Sequence, residues 1–323
     1  MSILLYKIRS RIINSHWVRT DKIKVLIETN KYFTKEAWSS ILNKTINPAK
    51  VEILFYANKY VGYKLIKDAQ VMFSFGENNY YIKNNLQLQY YGISQPDISN
   101  YSATNVYYAK GIASLSVAEY CLAYSLIALN DFGKYFGYQN QNKWKQQIKS
   151  SESSTLSAKT IGVIGLGNNG KKIAELFRKI GCQVYGYDIN KKSEKDVDVF
   201  CRSLSELLES CDVVICAVSL TPDTRNIFNN DSFMKMKKNA FLINVSRGGV
   251  VNERDLYLIL KSNRIAGAVL DVTVDEPLSR YSKLWTLNNL IITPHISGNI
   301  NRYSVEIMED FAGKLNDFID NHV

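Results

Sequence analysis

The stretch from Thr160 to Asp188, TIGVIGLGNNGKKIAELFRKIGCQVYGYD, leaves this chain few folds to choose from. Ile161 to Ile164 reads as a buried strand, broken at Gly165-Leu166-Gly167-Asn168-Asn169-Gly170. Apolar residues then return at helical spacing at Ile173, Ala174, Leu176, Phe177 and Ile180, and Gly181 ends the helix. Val184 to Tyr187 reads as a second strand that stops at Asp188. Strand, glycine turn, helix, strand and acid in this order predict a βαβ unit that binds a dinucleotide. Gly165 permits the tight turn, Gly167 lets a pyrophosphate approach the backbone, and Gly170 lets the helix lie close on the strand. The N–H groups of Asn168 and Asn169 open the helix, where its dipole favours negative charge. Asp188 accepts hydrogen bonds from a ribose 2′-hydroxyl and repels a 2′-phosphate, which favours NAD over NADP. Lys191 and Lys192, just beyond, weaken that preference.

The rest of the chain continues the alternation of strands and helices that marks a parallel sheet. Before the glycine turn, strands are predicted at Lys22 to Thr29, Val51 to Tyr56, Ala69 to Phe73 and Leu86 to Tyr91, with Thr34 capping a helix through Leu42. Val117 to Leu129 is a helix with too few polar positions for an ordinary surface helix, so it is expected between domains or against a second subunit. Residues 138–158 are polar and read as a connection around Trp144. After Asp188 come strands at Asp212 to Val218, Ala240 to Val245, Ile265 to Leu270 and Leu290 to Thr293. Helices are predicted at Ser203 to Leu208, Asp255 to Lys261 and Arg302 to Ile319.

Composition excludes several classes. At 323 residues the chain is long enough for two cored domains. No apolar run reaches membrane-spanning length, and Ile3 to Tyr6 is too short for a signal-peptide core. The five cysteines, Cys121, Cys182, Cys201, Cys211 and Cys216, have no metal-ligand spacing and mostly lie in apolar runs. Reduced core thiols in a cytoplasmic protein are the expectation. The net charge of +10 is concentrated in part at Lys7, Arg9, Arg11, Arg19, Lys22 and Lys24. It reads as a solvated basic face or as attraction for an anionic substrate or acidic partner; no motif supports nucleic-acid binding.

Hydride transfer to a ketone needs a group to hold the substrate, a proton donor and something to tune that donor. Arg247 follows a strand end in Asn244-Val245-Ser246-Arg247-Gly248-Gly249, where ligands bind in open α/β sheets, and a guanidinium there can grip a carboxylate. His295, in Thr293-Pro294-His295-Ile296-Ser297-Gly298, also follows a strand. The other two histidines, His16 and His322, lie near the termini, so His295 is the candidate acid–base. Glu276, in Leu270-Asp271-Val272-Thr273-Val274-Asp275-Glu276-Pro277, is the candidate carboxylate partner, with Asp275 as its rival. Asp271 is placed to contact the nicotinamide end of a cofactor or Arg247.

The segments Val117-Ala118-Glu119, GLGNNG, SLTPDT, INVSRGGVVNE, LDVTVDEP and TPHISG, in this order, resemble the D-isomer-specific 2-hydroxyacid dehydrogenase family. The resemblance is dense from Ser116 to Gly298. It implies a Rossmann-type nucleotide-binding domain, residues 116–298, inserted in a smaller flavodoxin-like α/β substrate domain of residues 1–115 plus 299–323. It also implies a cleft site, a homodimer, an NAD cofactor and a small 2-oxo or D-2-hydroxy acid substrate. Arg247, Glu276 and His295 correspond to the family's catalytic set. Gly165, Gly167, Asn168, Asn169, Gly170, Asp188, Ala217, Val218, Val245, Ser246, Arg247, Asp271, His295, Ser297 and Gly298 correspond to its cofactor contacts, and Ile93 and Ser94 with Arg247 to its substrate contacts. Three departures bear on the substrate, the first being Tyr107-Tyr108-Ala109-Lys110-Gly111, where relatives often have an Asn and a Pro-Gly turn. The segment Tyr91 to Asp97 holds a single glycine where the family is glycine-rich, and Ala217-Val218-Ser219 stands where relatives often carry His-x-Pro. An NAD-responsive regulatory or binding protein on the same fold is the alternative reading.

Overall fold

The computed structural model describes residues 22–75, 89–92, 106–109, 111–130, 132–144, 155–298 and 303–322. The chain divides into two compact units, one made of Met1–Ile112 with Ile300–Val323 and the other of Ala113–Asn299.

The first unit is built on five parallel strands: β1 (Ile23–Glu28), β2 (Val51–Tyr56), β3 (Val71–Ser74), β4 (Gln89–Gly92) and β5 (Val106–Tyr108). Their order, β2-β1-β3-β4-β5, is that of a flavodoxin-like doubly wound sheet. Successive strand residues go to opposite faces. Val25, Ile27, Phe73 and Tyr91 belong to one core, Leu26, Met72 and Tyr90 to the other. Burial on both faces is why these strands read as continuous apolar runs. Helix α1 (Lys35–Thr45) begins at Thr34, whose hydroxyl accepts from the Ala37 N–H, as its sequence predicts. A short helix α2 (Lys59–Leu65) follows β2.

The second unit opens with α3 (Ser114–Leu129) and α4 (Phe132–Gln139). Its parallel strands are β6 (Thr160–Ile164), β7 (Gln183–Tyr187), β8 (Val199–Phe200), β9 (Val213–Cys216), β10 (Phe241–Asn244), β11 (Gly267–Leu270) and β12 (Leu290–Ile292). Helices α5 (Asn168–Lys179), α6 (Leu204–Ser210), α7 (Asn230–Lys235) and α8 (Glu253–Lys261) lie between them. The order β12-β11-β10-β9-β6-β7-β8 reverses direction between β6 and β9, the Rossmann-type arrangement. Val213 and Ile215 face one core, Val214 and Cys216 the other. All five cysteines are buried thiols. Helix α3 packs on α5 and against β10 and β11 of its own unit, burying Val117, Ala118, Tyr120, Cys121 and Ser125. That contact accounts for much of its apolar character.

The last helix, α9 (Ser304–His322), belongs to the first unit. Its stripe of Ile307, Met308, Phe311, Ala312, Leu315 and Ile319 is buried with Trp38, Phe73 and Tyr91.

Candidate active site

The glycine turn lies at the switch point of the seven-stranded sheet, at the C-terminal end of β6, where doubly wound sheets bind ligands. Gly165 has φ +84°, and a Cβ there would come within 2.8 Å of the Val218 Cγ1 and 2.9 Å of the Ala217 carbonyl oxygen. Ala217 and Val218 therefore wall the turn from the end of β9. At Gly170 a Cβ would fall 1.8 Å from the Gly165 carbonyl oxygen, so helix and turn touch backbone to backbone. At Gly167 the same position meets no atom within 4 Å. Gly167 is also the N-cap of α5, with no side chain closing the helix end. The first helical bond runs from the Lys171 N–H to the Gly167 carbonyl, 2.9 Å, so the N–H groups of Asn168, Asn169 and Gly170 precede it. The Asn169 side chain is tied to α3 by the Ser114 hydroxyl at 2.7 Å.

Asp188 ends β7 beside this turn. Its Oδ2 accepts from the Leu166 N–H at 2.7 Å and its Oδ1 from the Asn190 N–H at 2.9 Å. Each oxygen keeps a second lone pair for a ligand hydroxyl. Open space at Gly167, a helix N-terminus and an anchored carboxylate fit a dinucleotide's pyrophosphate and ribose.

The ends of β10, β11 and β12 carry the other candidates. Asn244, fully buried, folds the first of these loops. Its Oδ1 accepts from the Ser246 N–H at 3.1 Å and the Ser246 hydroxyl at 2.7 Å, and its amide donates to the Arg247 carbonyl at 3.1 Å. The Arg247 guanidinium donates to the Ser246 carbonyl at 2.8 Å. Val245 and Ser246 are buried beneath it. Next in the chain, a Cβ on Gly248 would lie 2.0 Å from the Thr273 carbonyl carbon. Only glycine lets the Arg247 loop press directly on the loop that carries Glu276.

That second loop aims Glu276. The Thr273 N–H donates to its Oε1 at 3.2 Å, while the Val274 N–H is held by Glu253 at 2.7 Å. The other carboxylate oxygen, Oε2, lies 2.8 Å from His295 Nδ1. Of the two rival acids it is Glu276 that meets the ring. The pair is half exposed, at 47% for His295 and 40% for Glu276, so it is open to solvent and ligand. With Nδ1 taken by the carboxylate, Nε2 is the ring atom left to exchange a proton.

Asp271 is tied into the protein itself. It is fully buried, and its carboxylate is taken up by the His295 turn. Oδ1 accepts from the Thr293 hydroxyl at 2.7 Å and the Ile296 N–H at 2.8 Å, and Oδ2 accepts from the Ser297 N–H at 2.8 Å. Its carbonyl accepts the His295 N–H at 2.8 Å. These bonds hold His295 at φ +54°, a left-handed conformation uncommon outside glycine. Asp271 thus shapes the turn that carries His295. Behind it, Tyr120 of α3 shares the Thr293 hydroxyl at 2.5 Å. Burial, opposed by that hydrogen bond, pushes the Tyr120 phenol far above its ordinary value.

Asn244, Thr273, Thr293 and Tyr120 carry no catalytic signature of their own in the sequence. The one available hint is Asn244, a polar residue at the end of an apolar run. Ser297 is buried in the His295 turn and Gly298 is half-buried beyond it. Ile93 and Ser94 lie outside the described residues.

Fold and site together define an α/β protein with a Rossmann-type sheet and a hydrogen-bonded imidazole–carboxylate pair beyond the C-terminal ends of its strands. A family model described as D-isomer specific 2-hydroxyacid dehydrogenase, NAD binding domain, matches residues 122–297. The chain belongs to the D-isomer specific 2-hydroxyacid dehydrogenase family. It is 42% identical over 150 residues to the human glyoxylate reductase/hydroxypyruvate reductase, covering 46% of this chain and 46% of that one. The match thus spans about half the length of that relative. It is 32% identical over 211 residues to the hydroxypyruvate reductase of Thermotoga maritima, covering 64% of this chain and 68% of that one. A D-isomer specific 2-hydroxyacid dehydrogenase family protein from Aeromonas salmonicida has the same fold, with a TM-score of 0.80 at 24% identity over 94% of this chain and 97% of the other.

Proposed function

We propose that this chain is an NAD-dependent oxidoreductase that interconverts a small 2-oxo acid and the D-2-hydroxy acid. The observation that carries the reading is the 2.8 Å contact between His295 Nδ1 and Glu276 Oε2, on a loop packed against that of Arg247. The nicotinamide, when bound, supplies or accepts the hydride. Arg247 binds the substrate carboxylate and polarises the 2-oxo group. His295 gives a proton from Nε2 to the oxygen as negative charge develops there. Glu276 holds the ring in the tautomer that allows this and stabilises the imidazolium. In the oxidative direction His295 takes the proton from the hydroxyl.

Residues 116–298 are assigned to nucleotide binding, and residues 1–115 with 299–323 to the acid. Asp188 supports NAD as the dinucleotide. A homodimer is part of the proposal, and exposed Leu115, Leu126, Tyr135 and Phe136 on α3 and α4 are available for it to cover. Among the described residues no helix is long and apolar enough to cross a membrane. The cytoplasm is the proposed setting, in keeping with the buried free thiols.

The test is NADH oxidation with a panel of 2-oxo acids that includes glyoxylate and hydroxypyruvate. Turnover with at least one acid is expected. His295→Ala is expected to cut kcat by about 10²–10⁴-fold. Arg247→Ala is expected to cost about ten- to a hundredfold in kcat/KM. Unchanged turnover in both variants would overturn the reading.

A further inference from the structure

Asp188 and Lys191 converge on one residue of the glycine turn. The Leu166 N–H is taken by the Asp188 carboxylate at 2.7 Å, and the Leu166 carbonyl by the Lys191 ammonium at 2.5 Å. A lysine beside the acid that reads a ribose hydroxyl should undo that acid's selectivity, because an ammonium attracts a 2′-phosphate as strongly as a carboxylate repels it. Lys171, one turn into α5, is a second cation near the same place.

Both lysines are already engaged. Glu194 Oε2 lies 2.9 Å from Lys191 Nζ and 3.2 Å from Lys171 Nζ. The Glu194 side chain is only 9% exposed, whereas Lys171 is 49% and Lys191 29% exposed. Burial alone would raise the Glu194 carboxyl. The hydrogen bonds from Lys191 and Lys171 outweigh it and hold the group below the usual carboxylate range, so it is ionised at neutral pH. An ion pair in which one partner is shielded from water is screened less than one on the open surface.

We propose that Glu194 is a specificity-determining residue: by holding Lys191 and Lys171 it withholds the two cations a 2′-phosphate would use, and so keeps the site selective for NAD over NADP. The inference rests on the reading of the glycine turn as the dinucleotide site. Asp188 repels the extra phosphate, and Glu194 keeps Lys191 and Lys171 from compensating. Removing the Glu194 charge releases both ammonium groups from that carboxylate, with Lys191 still on the Leu166 carbonyl, and leaves Asp188 unchanged.

The experiment is fluorescence titration of the full chain, without substrate, by NADH and by NADPH at low ionic strength. Native protein is expected to bind NADH more tightly. In Glu194→Gln the ratio of the NADPH to the NADH dissociation constant is expected to fall about tenfold, the worth of one charge-assisted hydrogen bond. Added salt should shrink that gain, and Glu194→Gln combined with Lys171→Met and Lys191→Met should lose it. A ratio unmoved in Glu194→Gln, or a gain that survives when both lysines are also replaced, overturns the proposal. Lys191→Met in the otherwise native chain gives a second check should the first variant fold poorly. The two constants are expected to move together, and selective loss of NADPH binding would mean the lysine already serves the phosphate. Failure of native protein to bind either nucleotide would instead refute the dinucleotide site itself.

Discussion

Three glycines in one turn make separable demands, and alanine tells them apart. A methyl at Gly170 would have to displace the Gly165 carbonyl, 1.8 Å away, so the helix must lift from the turn. Gly170→Ala is expected to destabilise the fold by about 1–3 kcal/mol, read as a lower denaturation midpoint. A methyl at Gly167 meets nothing within 4 Å in the protein and occupies only the space proposed for the pyrophosphate. Gly167→Ala is expected to leave the midpoint within about 0.5 kcal/mol of native. It should weaken NADH binding about tenfold or more by titration. Equal effects of the two substitutions on stability would contradict this division. His295 makes a different demand. Its φ of +54° suits Asn far better than a β-branched residue, so His295→Asn is the inactivating change least disturbing to the turn.

At the scale of elements, the loops after β10, β11 and β12 are held by buried polar groups. Asp271 is the most committed, with two backbone N–H groups and one hydroxyl on its carboxylate. An amide offers one acceptor oxygen in place of two, so Asp271→Asn turns an NH2 toward an N–H. The change is expected to cost about 1–3 kcal/mol of stability. It should also lower kcat, because the turn that aims His295 loosens, while NADH affinity measured by titration falls much less. The strands of this sheet were legible because burial on both faces leaves uniform apolar runs such as Val213 to Cys216, bounded by polar turns. Helix α1 was legible from its cap. The short pieces β5, β8, α2 and α7 were not, since two to seven residues carry too little periodicity to register. The candidate site was legible in its exposed, chemically distinctive members, Arg247, Glu276 and His295. Asp271 was singled out as well, but its commitment to the His295 turn was not legible, because it depends on which strands are neighbours, a relation that sequence distance does not carry.

For the whole molecule, the return of the chain to its first unit is what makes that unit's core. Phe311 of α9 meets Trp38, Phe73 and Tyr91 edge to face, with ring centroids 5.4 to 5.5 Å apart. Phe311→Ala is expected to cost about 3–5 kcal/mol, the upper range for an aromatic lost from a packed core. Amide exchange should locate the loss in β1, β3 and β4, with α5 and β6 protected as before. Because Ala113–Asn299 is one uninterrupted segment within a split host, it can be exchanged as a cassette with only two splice points. A chimera carrying this cassette from an NADP-preferring relative should inherit the donor's coenzyme choice. Its taste in acids should stay with the recipient.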